Sequence, residues 1–288
     1  MTTYDVHQHL WPESLVTVLA QRASPPLIRN HTLVLEHEGT FDIDPAVFGV
    51  ESCMDTLDRV GLDVAVVSCP PTLGIEVLDE VDAESLRQAY HEGALAAVRA
   101  SGGRVLALSM QRPLDGFVGT ILAADDLGDL DRIAPVLDEI ERRETFLFVH
   151  PGIARPPAGA PAWWAAACDY TSQMQRAYLA WLAHGVERWP RLRVVFAILA
   201  GGAPFQLERM QSRGFDVGNA LHPTLYLETS SYGRRALDLC MATLGAERIV
   251  FGSDSPVTPP ELALSHVRRF GQAATEALCQ TNPSTLLR

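Results

Sequence analysis

The sequence predicts an α/β protein: a single (β/α)8 TIM barrel with an inserted hairpin after its first strand. Three observations carry this expectation. Eight short aliphatic or β-branched runs alternate with longer stretches of helical character. Most of these runs are apolar throughout rather than at every second position, as in strands buried on both faces of a parallel sheet. The 288 residues also suit one unit, since a barrel of this kind takes roughly 250. An open doubly wound sheet is the competing architecture, weakened because no G-x-G-x-x-G follows the first run.

In chain order the runs are Thr3–His7, Asp63–Ser68, Arg104–Met110, Phe117–Leu122, Thr145–His150, Arg193–Leu199, Thr224–Thr229 and Arg248–Ser253. Between them, Glu51–Val60 reads as a helix closed by Gly61, which suits a left-handed cap. Ala83–Ala100 stops at Gly102-Gly103. Ala134–Arg143 carries Pro135 near its first turn, where a missing N–H is tolerated. Pro161–Trp189 reads as one long helix with an irregular start, ending before Pro190. Pro204–Arg213 ends at Gly214, Tyr232–Leu244 ends at Gly245, and Pro260–Leu278 is one closing helix. Pro12–Gly49 is too long for a short βα loop. Within it Thr32–Glu36 and Thr40–Ile43 flank His37-Glu38-Gly39, and the segment is expected to lie as a hairpin over the barrel mouth. One domain over residues 1–288, with 12–49 as the insertion, is the expected organisation.

Composition narrows the partners. Lys plus Arg total 23 and Asp plus Glu total 35, a formal charge of −12. That argues against nucleic acid and against an anionic membrane surface, both of which call for a basic face. No segment approaches the roughly 18 apolar residues of a membrane span. Cys53, Cys69, Cys168, Cys240 and Cys279 are odd in number and form no C-x-x-C pair. A disulfide framework is therefore not expected, and no basic-then-apolar leader is visible at Met1-Thr2-Thr3; the expected location is cytoplasmic.

The chemistry sits at strand ends. The first run finishes Asp5-Val6-His7-Gln8-His9, and residues two apart on a strand share a face. His7 and His9 can thus aim together into the barrel mouth. The fifth run ends at His150 and the eighth leads to Asp254. If the barrel closes, three imidazoles and one carboxylate converge, a set suited to one divalent transition metal, zinc first. A lone histidine at a strand end is an ordinary hydrogen-bonding residue; four such positions on three converging strands argue for a metal site.

These pieces also resemble a known family. Asp5-Val6-His7-Gln8-His9, Phe148-Val149-His150-Pro151-Gly152, Ala200-Gly201-Gly202-Ala203-Pro204-Phe205 and Phe251-Gly252-Ser253-Asp254-Ser255-Pro256 look like the amidohydrolase superfamily. The branch is the one containing aminocarboxymuconate-semialdehyde decarboxylase and related decarboxylases and hydrolases. The likeness runs nearly end to end and is weakest at Pro12–Gly49. It implies one metal held by His7, His9, His150 and Asp254, a mononuclear site because Phe117–Leu122 contains no lysine to bridge a second ion. It also implies homodimers. The sequence departs from the family at the end of the sixth run, where a histidine is usual and Leu199 stands instead. A leucine moves no proton, and loss of a general base typically costs on the order of 10²–10⁴ in rate.

Three outcomes follow. Asp254 serves as both ligand and base; or His222, Glu228 or Tyr232 replaces the missing group; or the barrel binds a ligand without turnover. Glu228 reads equally as a hydrogen-bond acceptor for a ligating histidine and as a carboxylate at the start of the next helix. Arg112 and Arg155 stand where a substrate carboxylate could be clamped, against the plain reading of surface arginines in ion pairs. Trp163 could wall the pocket. The expected function is a metal-dependent hydrolase of a small amide, lactone or ester. The alternatives are a metal-dependent decarboxylase of an aromatic or unsaturated acid, and a non-catalytic ligand-binding barrel.

Overall fold

The computed structural model describes residues 1–288. Eight parallel strands follow one another around a sheet: β1 (Tyr4–His9), β5 (Val64–Ser68), β6 (Val105–Met110), β7 (Gly119–Ala123), β8 (Phe146–His150), β9 (Arg193–Phe196), β10 (Leu225–Glu228) and β11 (Ile249–Val250). The sheet closes on itself. The Val6 N–H donates to Phe251 O at 2.9 Å, the Asp254 N–H to His7 O at 2.9 Å and the His9 N–H to Ser255 O at 2.8 Å. Each predicted run supplies a barrel strand, and aliphatic residues from all eight enter one continuous core.

Local signals set the helices. Helix α1 is Glu13–Gln21, α2 is Val50–Val60, α3 is Glu80–Ala100, α4 is Leu130–Arg142 and α5 is Tyr170–Ala180. Gly61 caps α2 in the left-handed region at φ 73°. Asp79 caps α3, accepting from the Val81 and Asp82 amides at 3.2 and 3.1 Å. Asp129 caps α4 in the same way through the Arg132 amide. That cap starts α4 earlier than the sequence suggested, so Pro135 lies inside the helix, not in its first turn.

Two further expectations are revised. The long stretch before Pro190 is interrupted by π-helical turns at Ala165–Asp169 and Trp181–Gly185 on either side of α5. The closing stretch breaks at Gly271, whose φ of 90° a helix interior does not accept, and resumes at Gln272.

The insertion is more than a hairpin. Helix α1 buries Leu15 and Leu19 and lies on α3, where the Ser14 hydroxyl donates to Ala89 O at 2.6 Å. Strands β2 (Leu27–Arg29), β3 (Thr32–Leu35) and β4 (Gly39–Asp42) then form a small antiparallel sheet, of which β3–β4 is the expected hairpin. Buried Arg22 ties the insertion to α3, pairing with Asp82 at 2.9 Å and donating to Pro26 O at 2.9 Å. At the hairpin turn, the Glu38 carboxylate accepts from the Ala154 amide, in the loop after β8, at 3.1 Å.

Candidate metal centre

The C-terminal ends of β1, β8 and β11 bring His7, His9, His150 and Asp254 together. One ligating atom from each lies within 4.8 Å of the other three. The imidazoles meet edge to face, with ring centroids 4.9 to 5.3 Å apart. Asp254 Oδ1 is 2.9 Å from His9 Nε2 and 3.6 Å from His7 Nε2. Asp254 adopts a left-handed φ of 62°, uncommon for a residue other than glycine.

Each histidine is aimed by the bond its other nitrogen makes. His7 Nδ1 donates to Glu228 Oε2 at 2.9 Å. His150 Nδ1 donates to Pro151 O at 2.9 Å, which leaves its Nε2 as the free lone pair. His9 Nδ1 lies 3.4 Å from Ser68 Oγ. His7 Nε2 is buried with no hydrogen-bond partner. An orphaned, buried imidazole nitrogen beside the part-buried Asp254 carboxylate and two further imidazoles fits a divalent cation.

The electrostatics agree with that donor set. Burial works against charge on His7, but the carboxylates of Glu228, Asp254 and Asp5 outweigh it and raise its pKa to about 9. A lone pair with that affinity for a proton also has affinity for a metal ion, since the two compete for it. Burial and the neighbouring His7 and His9 hold His150 well below the usual imidazole range, so it stays neutral. Burial alone would raise Asp254, yet the His9 hydrogen bond and the surrounding imidazoles lower it and keep it ionised.

Glu228 is a hub. Besides His7, its carboxylate accepts from the Ser230 hydroxyl at 2.7 Å, the Ile198 amide at 3.3 Å and the Ser230 amide. The Ile198 amide comes from an unusual turn. β9 ends at Phe196, short of the predicted Leu199, and Ile198, Leu199, Ala200 and Gly201 all take positive φ, from 46° to 63°. For a β-branched residue that is a true outlier. Gly201 fits because a Cβ there would stand 2.3 Å from Thr171 O. Leu199 is buried within this turn and offers nothing that could accept a proton.

The other sequence candidates lie outside the buried group. Arg112 is half-exposed and paired with Glu84 at 2.9 Å. Arg155 is exposed on the loop after β8. Trp163 is 58% exposed and stacks on Trp164. His222 precedes β10, at the opposite end of the strands, and bonds Thr224 Oγ1 at 2.9 Å. Tyr232 is half-buried beyond the end of β10.

Sequence reasoning passed over Glu38 and Tyr170. The Tyr170 hydroxyl donates to Glu38 Oε2 at 2.6 Å, joining the insertion to the N-terminus of α5. Burial and the carboxylates of Glu38 and Asp254 push this phenol up, so it stays protonated beside the ligand group. Nothing local marks the pair, which is 132 residues apart. Ser230 was nearer to hand, two residues beyond Glu228.

The amidohydrolase family model matches residues 4–288. No curated protein matches the chain in sequence. Among solved structures, the apo form of Metarhizium anisopliae IDCase superposes with a TM-score of 0.84 at 21% identity, covering 100% of this chain and 97% of that one. The 2,6-dihydroxybenzoate decarboxylase from Rhizobium gives 0.75 at 15% identity over 100% and 98%. A dihydroxybenzoic acid decarboxylase from Polaromonas, with bound manganese and 2-nitroresorcinol, gives 0.75 at 15% over 99% and 96%.

Proposed function

Because the chain belongs to the amidohydrolase family, we propose that it is a metal-dependent decarboxylase of a small aromatic or unsaturated carboxylic acid. The observation that supports this most is the end-to-end structural likeness to enzymes named as decarboxylases. It reverses the order in which the sequence ranked the two reactions. Hydrolysis of an amide, lactone or ester with the same ligands is the second reading.

The donor set supports one divalent ion held by His7, His9, His150 and Asp254: zinc by ligand type, or manganese as in the Polaromonas neighbour. Such an ion supplies a Lewis acid that polarises substrate oxygens. The remaining work falls to the chain. Glu228 fixes the orientation of His7. Loss of CO2 breaks a carbon–carbon bond, leaves its electron pair on carbon, and requires one proton there. Asp254 is the catalytic residue in this reading: ionised at rest, its carboxylate takes up a proton from water and relays it to that carbon, so the proton comes from solvent. Leu199 at the end of the sixth run departs from the family under either reaction, but decarboxylation needs no base to activate water and so loses less by it than hydrolysis does. Arg112, Arg155 and Trp163 are the candidates for meeting the substrate at the rim. A cytoplasmic home accords with five free cysteines. Homodimers belong to the same reading, and light scattering tests them.

The experiment is elemental analysis followed by assay. One ion per chain in the wild type and none in His150→Ala is expected, with CO2 released from hydroxylated benzoates by the wild type alone. Hydrolysis of lactones, esters or amides without any CO2 release overturns the decarboxylase in favour of the second reading.

A further inference from the structure

A second built feature lies in the barrel mouth. The C-terminal ends of β5, β6 and β7 enclose a cleft of ≈ 240 Å³, walled by Met110 and Ile121. Much of that space is its open mouth, and the enclosed part takes a group about the size of one water, so it suits only the polar tip of a small molecule. Its two edges lie on strands that neighbour those carrying the ligand residues. Ala123, on one edge, is the register partner of His150. Cys69, on the other, follows Ser68, the register partner of His9. The Ala123 edge thus stands one strand spacing, ~4.8 Å, from the His150 backbone, which is the reach a molecule held at the ligand group would need.

The polar groups facing the cleft are Glu76, Gln111 and Asp126. Asp126 is already engaged, accepting from the Ala123 amide at 3.2 Å and from Arg132 at 2.7 Å. Gln111 has its amide oxygen fixed by Arg87 at 2.9 Å, which leaves its NH2 as the free end. Its backbone holds a left-handed φ of 61°, a strained conformation that tends to cluster at functional sites. The Glu76 carboxyl bonds to no residue but its own backbone amide. No lysine or arginine lines the cleft.

We propose that this cleft is a substrate subsite for an uncharged hydroxyl, carbonyl or amide group, read by the Glu76 carboxyl and the Gln111 NH2. The rest of the substrate, a carboxylate at the metal-ligand group, rests on the function proposed above. An anionic end would meet Asp126 and no cation. Burial, with the Asp126 charge adding to it, pushes Glu76 up to about 8. At neutral pH it therefore keeps its proton and both donates and accepts. A pocket with such a pair rejects an analogue that lacks the matching polar group, because its own groups are then left unpaired.

The test uses metal-loaded protein with isotope-labelled Met and Ile methyl groups. Phenol and toluene are matched probes of the cleft, and benzoate reads the ligand group. Phenol should shift the Met110 and Ile121 methyls and bind about tenfold more tightly than toluene, the worth of one hydrogen bond. Glu76→Leu should bring the two within about twofold, while Glu76→Gln keeps most of the preference. Gln111→Ala should weaken phenol and leave toluene unchanged. Equal binding of phenol and toluene in the wild type overturns the subsite, and so does an undiminished preference in Glu76→Leu. Benzoate binding that survives His150→Ala instead overturns the metal–carboxylate reading, and the phenol result still decides the subsite.

Discussion

Glu228 Oε2 accepts a hydrogen bond from His7 Nδ1 at 2.9 Å, linking two residues 221 positions apart in the chain. The bond fixes both the tautomer and the ring angle of His7, and the carboxylate charge makes its Nε2 a stronger donor to a cation. The same carboxylate accepts from Ile198 and Ser230, so the turn after β9 and the end of β10 are fastened to the ligand group.

Glu228→Gln removes the charge and keeps the shape. Metal affinity should fall by about 10–100-fold, read by competition with a chromogenic chelator. An unchanged affinity would mean that Glu228 merely fills space.

Gly252→Ala acts on the same carboxylate without touching a ligand. A Cβ there would stand 2.3 Å from Glu228 Oε1. The carboxylate must move, and His7 with it. Metal affinity should fall with little change in helix content by circular dichroism. Wild-type affinity in this variant would show that Glu228 can shift and still serve His7.

Asp254→Asn leaves an oxygen near the ion and removes the group that carries a proton. At saturating metal, kcat on the best carboxylic acid found should fall by roughly 10²–10⁴. A fall in metal affinity with kcat unchanged would assign Asp254 to ligation alone.

His91 sets an acid limit on stability. It is buried against Phe117, its Nε2 accepts the Met110 amide at 2.9 Å, and burial with the nearby Arg112 charge lowers its pKa to about 4. Unfolded, it titrates near 6.5. Between those values the unfolded chain binds the extra proton, so this contribution is full above pH 6.5 and fades as pH falls towards 4. The thermal midpoint should drop over that window, and His91→Gln should flatten part of the slope. A slope identical in both proteins would assign the acid sensitivity elsewhere.

Much of the fold was legible because its signals are local. Continuous apolar runs such as Phe146–His150 mark buried strands, and Gly61 and Gly245 mark helix ends. The placement of His7 and His9 on one face follows from the two-residue period of a strand alone. Helix α1 was overlooked although Leu15 and Leu19 have helical spacing, because Val16-Thr17-Val18 favours extended chain. The left-handed turn at Ile198–Gly201 ran against the preference of its own residues, and tertiary bonds to Glu228 and Gln175 hold it. Glu38, Tyr170 and Glu76 had no signal at all. Their positions depend on how loops dock across the barrel mouth, which no window of sequence encodes.

The seam that closes the barrel runs through the ligand group itself. β1 and the segment after β11 are joined by amides of Val6, His9 and Asp254, beside the side chains that converge on one point. With the proposed ion in place, His7 and His9 near the start of the chain are clasped to Asp254 near its end. Opening the seam and emptying the centre then become one event. Such an ion would act as a buckle on the belt of strands, closing the seam through side chains as the amides close it through backbone.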